Sequence, residues 1–328
     1  MRIVVLRIFY LLVTNLHHRL LAEGAIRIPL DRVIRHCHQL EDSAGNADIK
    51  YEMAKLICAI FRHLKSHSAL VHLFLEHTSS DSGVEDVQFS YFLFLLDYLT
   101  NTHNPTECVA REAFCIGMYL ASNDQTLCTF ALKSQAIETV IERLVMLFSM
   151  MPVVLSTEKM LTAPSEQQIL PIGLDDSDIS RRRKSIREEQ GSRGPASTRD
   201  ALAVHEFFEF WTFVNQLLQT CAQASHRTPS KHASYPGSEL RQGIIDQITS
   251  TFFGGFIFSR IAQRERTDGE RSTTLDYVVE MLNDVRDQKF LRHIVRNLVS
   301  DDCGLSTILL DYSEHANDQV CFVFSLVF

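Results

Sequence analysis

Along this chain apolar residues recur every three or four positions, in runs of about 12–22 residues separated by polar breaks. That period belongs to helices, because residues three and four apart share one helix face. It predicts helices at about 2–22, 29–40, 47–64, 68–77, 85–101, 107–121, 125–133 and 134–149. After a break it predicts more at about 203–224, 238–262, 273–284, 287–299, 303–312 and 317–328. Convincing strand-type alternation is absent. Short helices joined by short loops, with no strict repeat period, predict an all-α fold, an irregular armadillo/HEAT-like helical solenoid. A globular helical bundle is the other all-α reading.

Local signals mark several boundaries. Pro29 suits the first turn of a helix, where its missing N–H is harmless. Thr273 or Thr274 is placed to cap "TLDYVVEML", with Asp276 in the first turn, and Asp301 to cap "CGLSTILLDY". Asn104-Pro105 forces a turn between two helices. Gly254-Gly255 interrupts the apolar run "TFFGGFIFSRI". Each glycine in a helix costs about 1 kcal/mol relative to alanine, so a kink or two shorter helices is expected there.

The opening "MRIVVLRIFYLLVTNL" has the look of an export signal. Arg7 splits its apolar run, and no small-residue cleavage site follows. The run is also shorter than the roughly 20 residues a membrane span needs. Val5, Ile8, Phe9, Leu12, Leu16 and Leu20 fall at helical spacing, which predicts an amphipathic helix buried on several sides.

One segment departs from the pattern. Residues 155–202 are rich in Ser, Arg, Glu, Pro and Gly, with only scattered apolar positions. Such a stretch buries too little surface to offset its chain entropy, so it is expected to be a disordered insertion. It separates an N-terminal helical half, 1–154, from a C-terminal helical half of the same solenoid, 203–328. A shorter polar loop follows at 225–238.

Composition narrows the functional classes. The net charge of −8 argues against non-specific nucleic-acid binding, which needs a basic field. Eight cysteines are spread along the chain without CxxC spacing, mostly inside apolar runs such as "KLICAIF". They read as reduced, buried residues. There is no N-x-S/T sequon, since Pro105 spoils the one at Asn104. Both features favour a reducing cytosol.

"HEFFE" at His205–Glu209 approaches the zinc-hydrolase pattern H-E-x-x-H, but Glu209 stands where the second histidine belongs. A metal-dependent hydrolase built on His205 and Glu206 would need a further, distant ligand. The simpler reading is a helix whose core face is Phe207, Phe210, Trp211, Val214, Leu217, Leu218 and Cys221. His63 and His67 share a helix face, with His72 and His77 beyond a break, and read as surface or groove histidines. "HCH" at 36–38 puts its histidines on opposite helix sides. Phosphate-binding, nucleophile-elbow and EF-hand motifs are absent. The residues therefore predict no enzyme, no cofactor and no metal. "RRRKS" at 181–185 is a solvated charge run, a basophilic-kinase site at Ser185, or an electrostatic patch for nuclear import or acidic lipid.

Segment order carries a further signal. "RIVVLRIFYLLVTNLHHRLLAEGAIRIPLDRVIRHC" comes first, then "EMAKLICAIFRHLKSHSALVHLFLE" and "AREAFCIGMYLASNDQTLCTFAL". After the polar insert come "HEFFEFWTFVNQLLQTC", "ELRQGIIDQITSTFFGGFIFSRIAQ", "TTLDYVVEMLNDVRDQKFLRHIVRNLV" and "ANDQVCFVFSLVF". In this order the blocks resemble the FHF complex subunit Hook-interacting protein family (FHIP), over nearly the whole chain except the insert. Two departures suggest a partial chain. The resemblance begins inside the family's domain, and it stops within a helix that family members continue. The apolar face of the first helix is then expected to be where preceding helices pack.

The resemblance implies a non-enzymatic adaptor. It would join a Hook-type coiled-coil protein, the inactive ubiquitin-conjugating-enzyme variant FTS, and a Rab GTPase, coupling endosomal or early secretory vesicles to dynein. A cytoplasmic location, peripheral on such vesicles and neither secreted nor transmembrane, follows from it. No contact residues carry over. A helical scaffold of another cytoplasmic assembly is the alternative.

Overall fold

Each helix buries the stripe its sequence dictates, and the stripes fix how the helices stack. The computed structural model describes residues 2–15, 18–39, 47–79, 85–101, 105–153, 195–224, 235–263 and 267–299. Helix α1 (Arg2–Asn15) buries Leu6 and Val13, and a 3-10 turn (His18–Leu21) leads to α2 (Gly24–Gln39). Pro29 lies inside α2 rather than in its first turn, because the helix starts earlier, at Gly24. The proline deprives the carbonyl of Ala25 of its usual donor, and both residues are exposed.

Helix α3 (Ala47–Ser66) is buried on most sides, from Met53 to Leu64. The expected helix at 68–77 is a 3-10 segment (Ser68–Phe74) that turns extended at Leu75. Two strands follow, β1 (Glu76–Ser79) and β2 (Glu85–Gln88). They pair antiparallel, Glu76 opposite Gln88 and His77 opposite Val87. Four-residue strands are too short to leave an alternation legible in sequence. Side chains hold Glu76 in place, since Arg35 and the Ser90 hydroxyl both donate to its carboxylate.

Helices α4 (Ser90–Asn101), α5 (Thr106–Ala121), α6 (Gln125–Lys133) and α7 (Ala136–Ser149) come next. Asp124 caps α6, accepting the N–H of Leu127 at 3.0 Å. Only Ser134 and Gln135 separate α6 from α7, and Gln135 takes a left-handed conformation, φ 57°. Helix α8 (Pro195–Ala224) begins well before Ala203. Residues 195–202, assigned above to the disordered insertion, are therefore helical. Pro195 suits a helix start and alanines follow it. The remainder of that segment, 155–194, lies outside the described residues.

Helix α9 (Pro236–Gln247) continues with helical dihedrals into a π-helical segment (Ile248–Phe258) and a last turn, α10 (Ser259–Ala262). The buried pairs there explain the wide turns. Ile248–Thr249, Phe252–Phe253 and Ile257–Phe258 recur after four and five residues, a longer period than the α-helix allows. Gly254 and Gly255 fit because a Cβ on either would press the carbonyl five residues back, at 3.2 and 3.3 Å. Helix α11 (Asp268–Asp284) is capped by Thr267, which accepts from Glu270 N while the Glu270 side chain accepts from Thr267 N. Thr273 and Thr274 are buried inside the helix instead. The earlier capping box lengthens α11 by a turn beyond what the apolar run alone suggests. Helix α12 (Gln288–Val299) closes the described part. Asp301 and the expected helices at 303–312 and 317–328 lie outside the described residues.

The helices stack in two rows. In one, α1 packs on α3, α3 on α5, α5 on α8 and α8 on α11. In the other, α2 meets α4 through Tyr91 and Asp31, α4 packs on α7, α7 on α9 and the π segment, and the π segment on α12. Helices two or three apart in the chain stack on one another, the packing logic of an all-α solenoid. One core runs through both rows. Phe148 of α7 is a junction, with Phe207, Phe252, Phe256 and Tyr277 around it at 5.3–6.0 Å. Trp211 is fully buried and donates to the carbonyl of Met281 at 3.1 Å.

Candidate functional site

His205 and Glu206 stand exposed on α8, whereas Phe207, Phe210, Trp211, Val214, Leu217, Leu218 and Cys221 are all buried. The near-match to a zinc motif thus points outward, and its helix is held by the opposite face. The other histidines are dispersed. His63 Nε2 lies 2.7 Å from the carbonyl of Val13, joining α3 to α1. His72 approaches Asp124 at 3.3 Å, His77 is exposed on β1, and His38 lies against Phe94 and 3.6 Å from Asp97. Among the described residues no three His, Cys, Asp or Glu side chains gather to hold a metal. Ser185 and the basic cluster around it lie outside the described residues.

Polar chemistry inside the stack goes into ties between helices. Arg35 pairs with Asp31 at 2.8 Å and with Glu76, and its hydrogen bond to Asp31 leads in holding the guanidinium firmly protonated. Tyr91 donates to Asp31 at 3.0 Å, and burial pushes its hydroxyl far above the ordinary tyrosine value. Arg7 reaches Glu52 of α3 at 2.8 Å. Arg111 pairs with Glu107 and lies over the rings of Phe210 and Phe213, joining α5 to α8. The six described cysteines are thiols rather than disulfides. Burial raises the thiols of Cys58 and Cys128 to about 11, and those of Cys115 and Cys221 to about 12. A thiol held protonated is a poor nucleophile.

The unspent chemistry lies on exposed apolar faces. On α1, Val4, Ile8, Leu11 and Leu12 are 58%, 51%, 56% and 36% exposed, one stripe at helical spacing. The expectation that α1 is buried on several sides is corrected here. It packs chiefly on α3 and α2, which cover only Leu6 and Val13 fully. Arg2 and Arg7 are its only charged residues, so the stripe has a basic border. A second exposed pair, Met146 on α7 and Met150 at its C-cap, stands beside the buried Arg143. Sequence reasoning missed Arg143; its signal was an arginine among apolar positions of a core helix.

Two rows of helices held by side-chain ties define an all-α solenoid-like protein. The chain belongs to the RAI16-like family: the sequence model described as retinoic acid induced 16-like protein matches residues 1–327. No curated protein matches the chain. No helix among the described residues is long and apolar enough to cross a membrane.

Proposed function

We propose that this chain is a non-enzymatic adaptor of the FHIP type, to which the RAI16-like family is related. In this reading it joins a Hook-type coiled-coil protein and FTS to a Rab GTPase on endosomal or early secretory vesicles, and so to dynein. Its place is the cytoplasm, peripheral on those vesicles. The family match over residues 1–327 is the observation that carries the reading. The exposed stripe on α1 supports it, because a helical stack with uncovered apolar faces is suited to holding partner helices. The outward-facing, unassembled His205 and Glu206 favour an adaptor over a metal-dependent hydrolase.

Affinity purification of the tagged chain from cells, scored for Hook, FTS and Rab proteins, tests the reading. All three classes are expected above a tag-only control. A folded chain that recovers none of them sinks the proposal, and a different reproducible set of partners would establish a scaffold of another assembly. Elemental analysis of the purified chain tests the hydrolase alternative, for which stoichiometric zinc is required.

A further inference from the structure

Helix α7 buries Ile137, Val140, Ile141, Leu144, Leu147 and Phe148 in the core. Along its edge run Thr139, Arg143, Met146 and Met150, spaced by four, three and four residues. Alternating spacings of four and three keep residues on one seam, the arrangement by which paired helices interlock. Met146 and Met150 are 41% and 57% exposed, so the seam is open. Flexible thioethers adapt to varied apolar partners.

Arg143 is the anomaly on this seam. It is 7% exposed, its Nε is buried without an acceptor, and a terminal nitrogen reaches only the sulfur of Met146, at 3.8 Å. A thioether is a weak acceptor. Arg111 and Arg241, with side chains 16% and 19% exposed, each hold a carboxylate. Arg143 holds none among the described residues. A guanidinium does not shed its proton in a protein, so the charge stays, and burying it unpaired costs stability. Among the described residues its partner anion is missing, and the exposed methionines beside it call for apolar contact at helical spacing.

We propose that the stripe Thr139–Arg143–Met146–Met150 is a docking seam for an amphipathic helix of a partner protein, apolar at the matching spacing and carrying one carboxylate that pairs with Arg143. This seam rests on its own geometry and stands or falls apart from the adaptor reading.

The test uses the full chain and two synthetic helical peptides, each with leucines at alternating three- and four-residue spacing. One carries a single central Glu, the other Gln at that position. Fluorescence anisotropy is expected to show the Glu peptide binding about tenfold tighter, the worth of one charge-assisted hydrogen-bonded pair. Arg143→Met is expected to erase that preference while holding or raising the melting temperature, since an apolar replacement removes an unpaired buried charge. Met150→Gln, on the exposed part of the seam, is expected to weaken both peptides without moving the melt. If Arg143→Met does not fold, the two peptides on the unaltered chain and on Met150→Gln still decide. Equal or absent binding of the two peptides to the unaltered chain overturns the proposal, as does a preference that survives Arg143→Met. Stabilisation by inorganic phosphate, lost in Arg143→Met and without peptide discrimination, would make this a small-anion site instead. Self-association of the chain that Met150→Gln abolishes would assign the seam to a second copy and equally overturn it.

Discussion

Arg241 of α9 grips Asp287 through two nitrogens, Nε to Oδ2 at 2.8 Å and a terminal nitrogen to Oδ1 at 2.6 Å. The same Oδ1 accepts the backbone N–H groups of Lys289 and Phe290 at 2.9 and 3.1 Å, so Asp287 is also the N-cap of α12. One carboxylate thus ties two helices and starts one of them. Its side chain is 6% exposed.

Asp287→Ala removes both roles and leaves a largely covered guanidinium unpaired. The expected loss is about 3–5 kcal/mol, the range for breaking a buried ion pair from one side. Asp287→Asn keeps an acceptor for the cap and is expected to lose about 1 kcal/mol less. Urea denaturation followed by the fluorescence of Trp211, the only tryptophan, measures both. Equal losses would show that the cap contributes nothing.

Gly117 of α5 sits under aromatic rings. A Cβ there would meet Phe92 Cδ2 at 2.8 Å and Phe61 Cε2 at 3.0 Å. Gly117→Ala is expected to destabilise by about 1–3 kcal/mol through overpacking, outweighing the better helix propensity of alanine. On α11 a Cβ at Gly269 meets nothing within 4 Å. Gly269→Ala is therefore expected to be neutral or to stabilise by up to about 1 kcal/mol. Thermal melts should rank the second variant at or above the unaltered chain and the first below it.

Buried thiols make the fold sensitive to alkali. Burial is the leading cause that lifts Cys58, Cys115, Cys128 and Cys221 from 9.0 to about 11–12, and it lifts Tyr277 from 10.0 to about 12. Because the folded values lie above the unfolded ones, their contribution to stability is intact below pH 9. It falls as pH rises from there towards 12. Melting temperatures should therefore decline above about pH 9, and Cys221→Ala should soften the decline. In the native chain at about pH 8, iodoacetamide should mark the exposed Cys108 well before these four, as peptide mass mapping would show. Equal labelling would contradict their burial.

Thr267→Ala removes the capping box of α11 and is expected to cost about 1 kcal/mol. Amide exchange over residues 268–272 should accelerate more than exchange over α8. A change spread evenly over both would mean the cap acts on the whole fold rather than on its own helix.

The all-α character was legible because apolar spacing alone decides it. The core face of α8 could be read residue by residue from its heptad-like positions, Phe207 through Cys221. Features set by contacts distant in sequence were not. The strand at Glu76 depends on Arg35 and Ser90, which lie 41 and 14 residues away. The true start of α11 is a different case: its capping box joins Thr267 and Glu270, only three residues apart, and the T-x-x-E spacing stands in a polar stretch that gives no apolar cue. The broken spacing at His205–Glu209 is visible in the sequence itself, whereas Arg143 could be recognised only once the described residues around it showed no carboxylate.

The π segment Ile248–Phe258 acts as a phase setting for everything after it. One residue more or less on an α-helix rotates all that follows by about 100°. The wide turns absorb that angle, so that Phe252 and Phe253 can face Trp211 while Ile261, further on, still points into the core. Side chains here can be exchanged for others of like size, but the count of residues cannot change. Deleting one would turn α11 and α12 away from the stack without touching a residue in either.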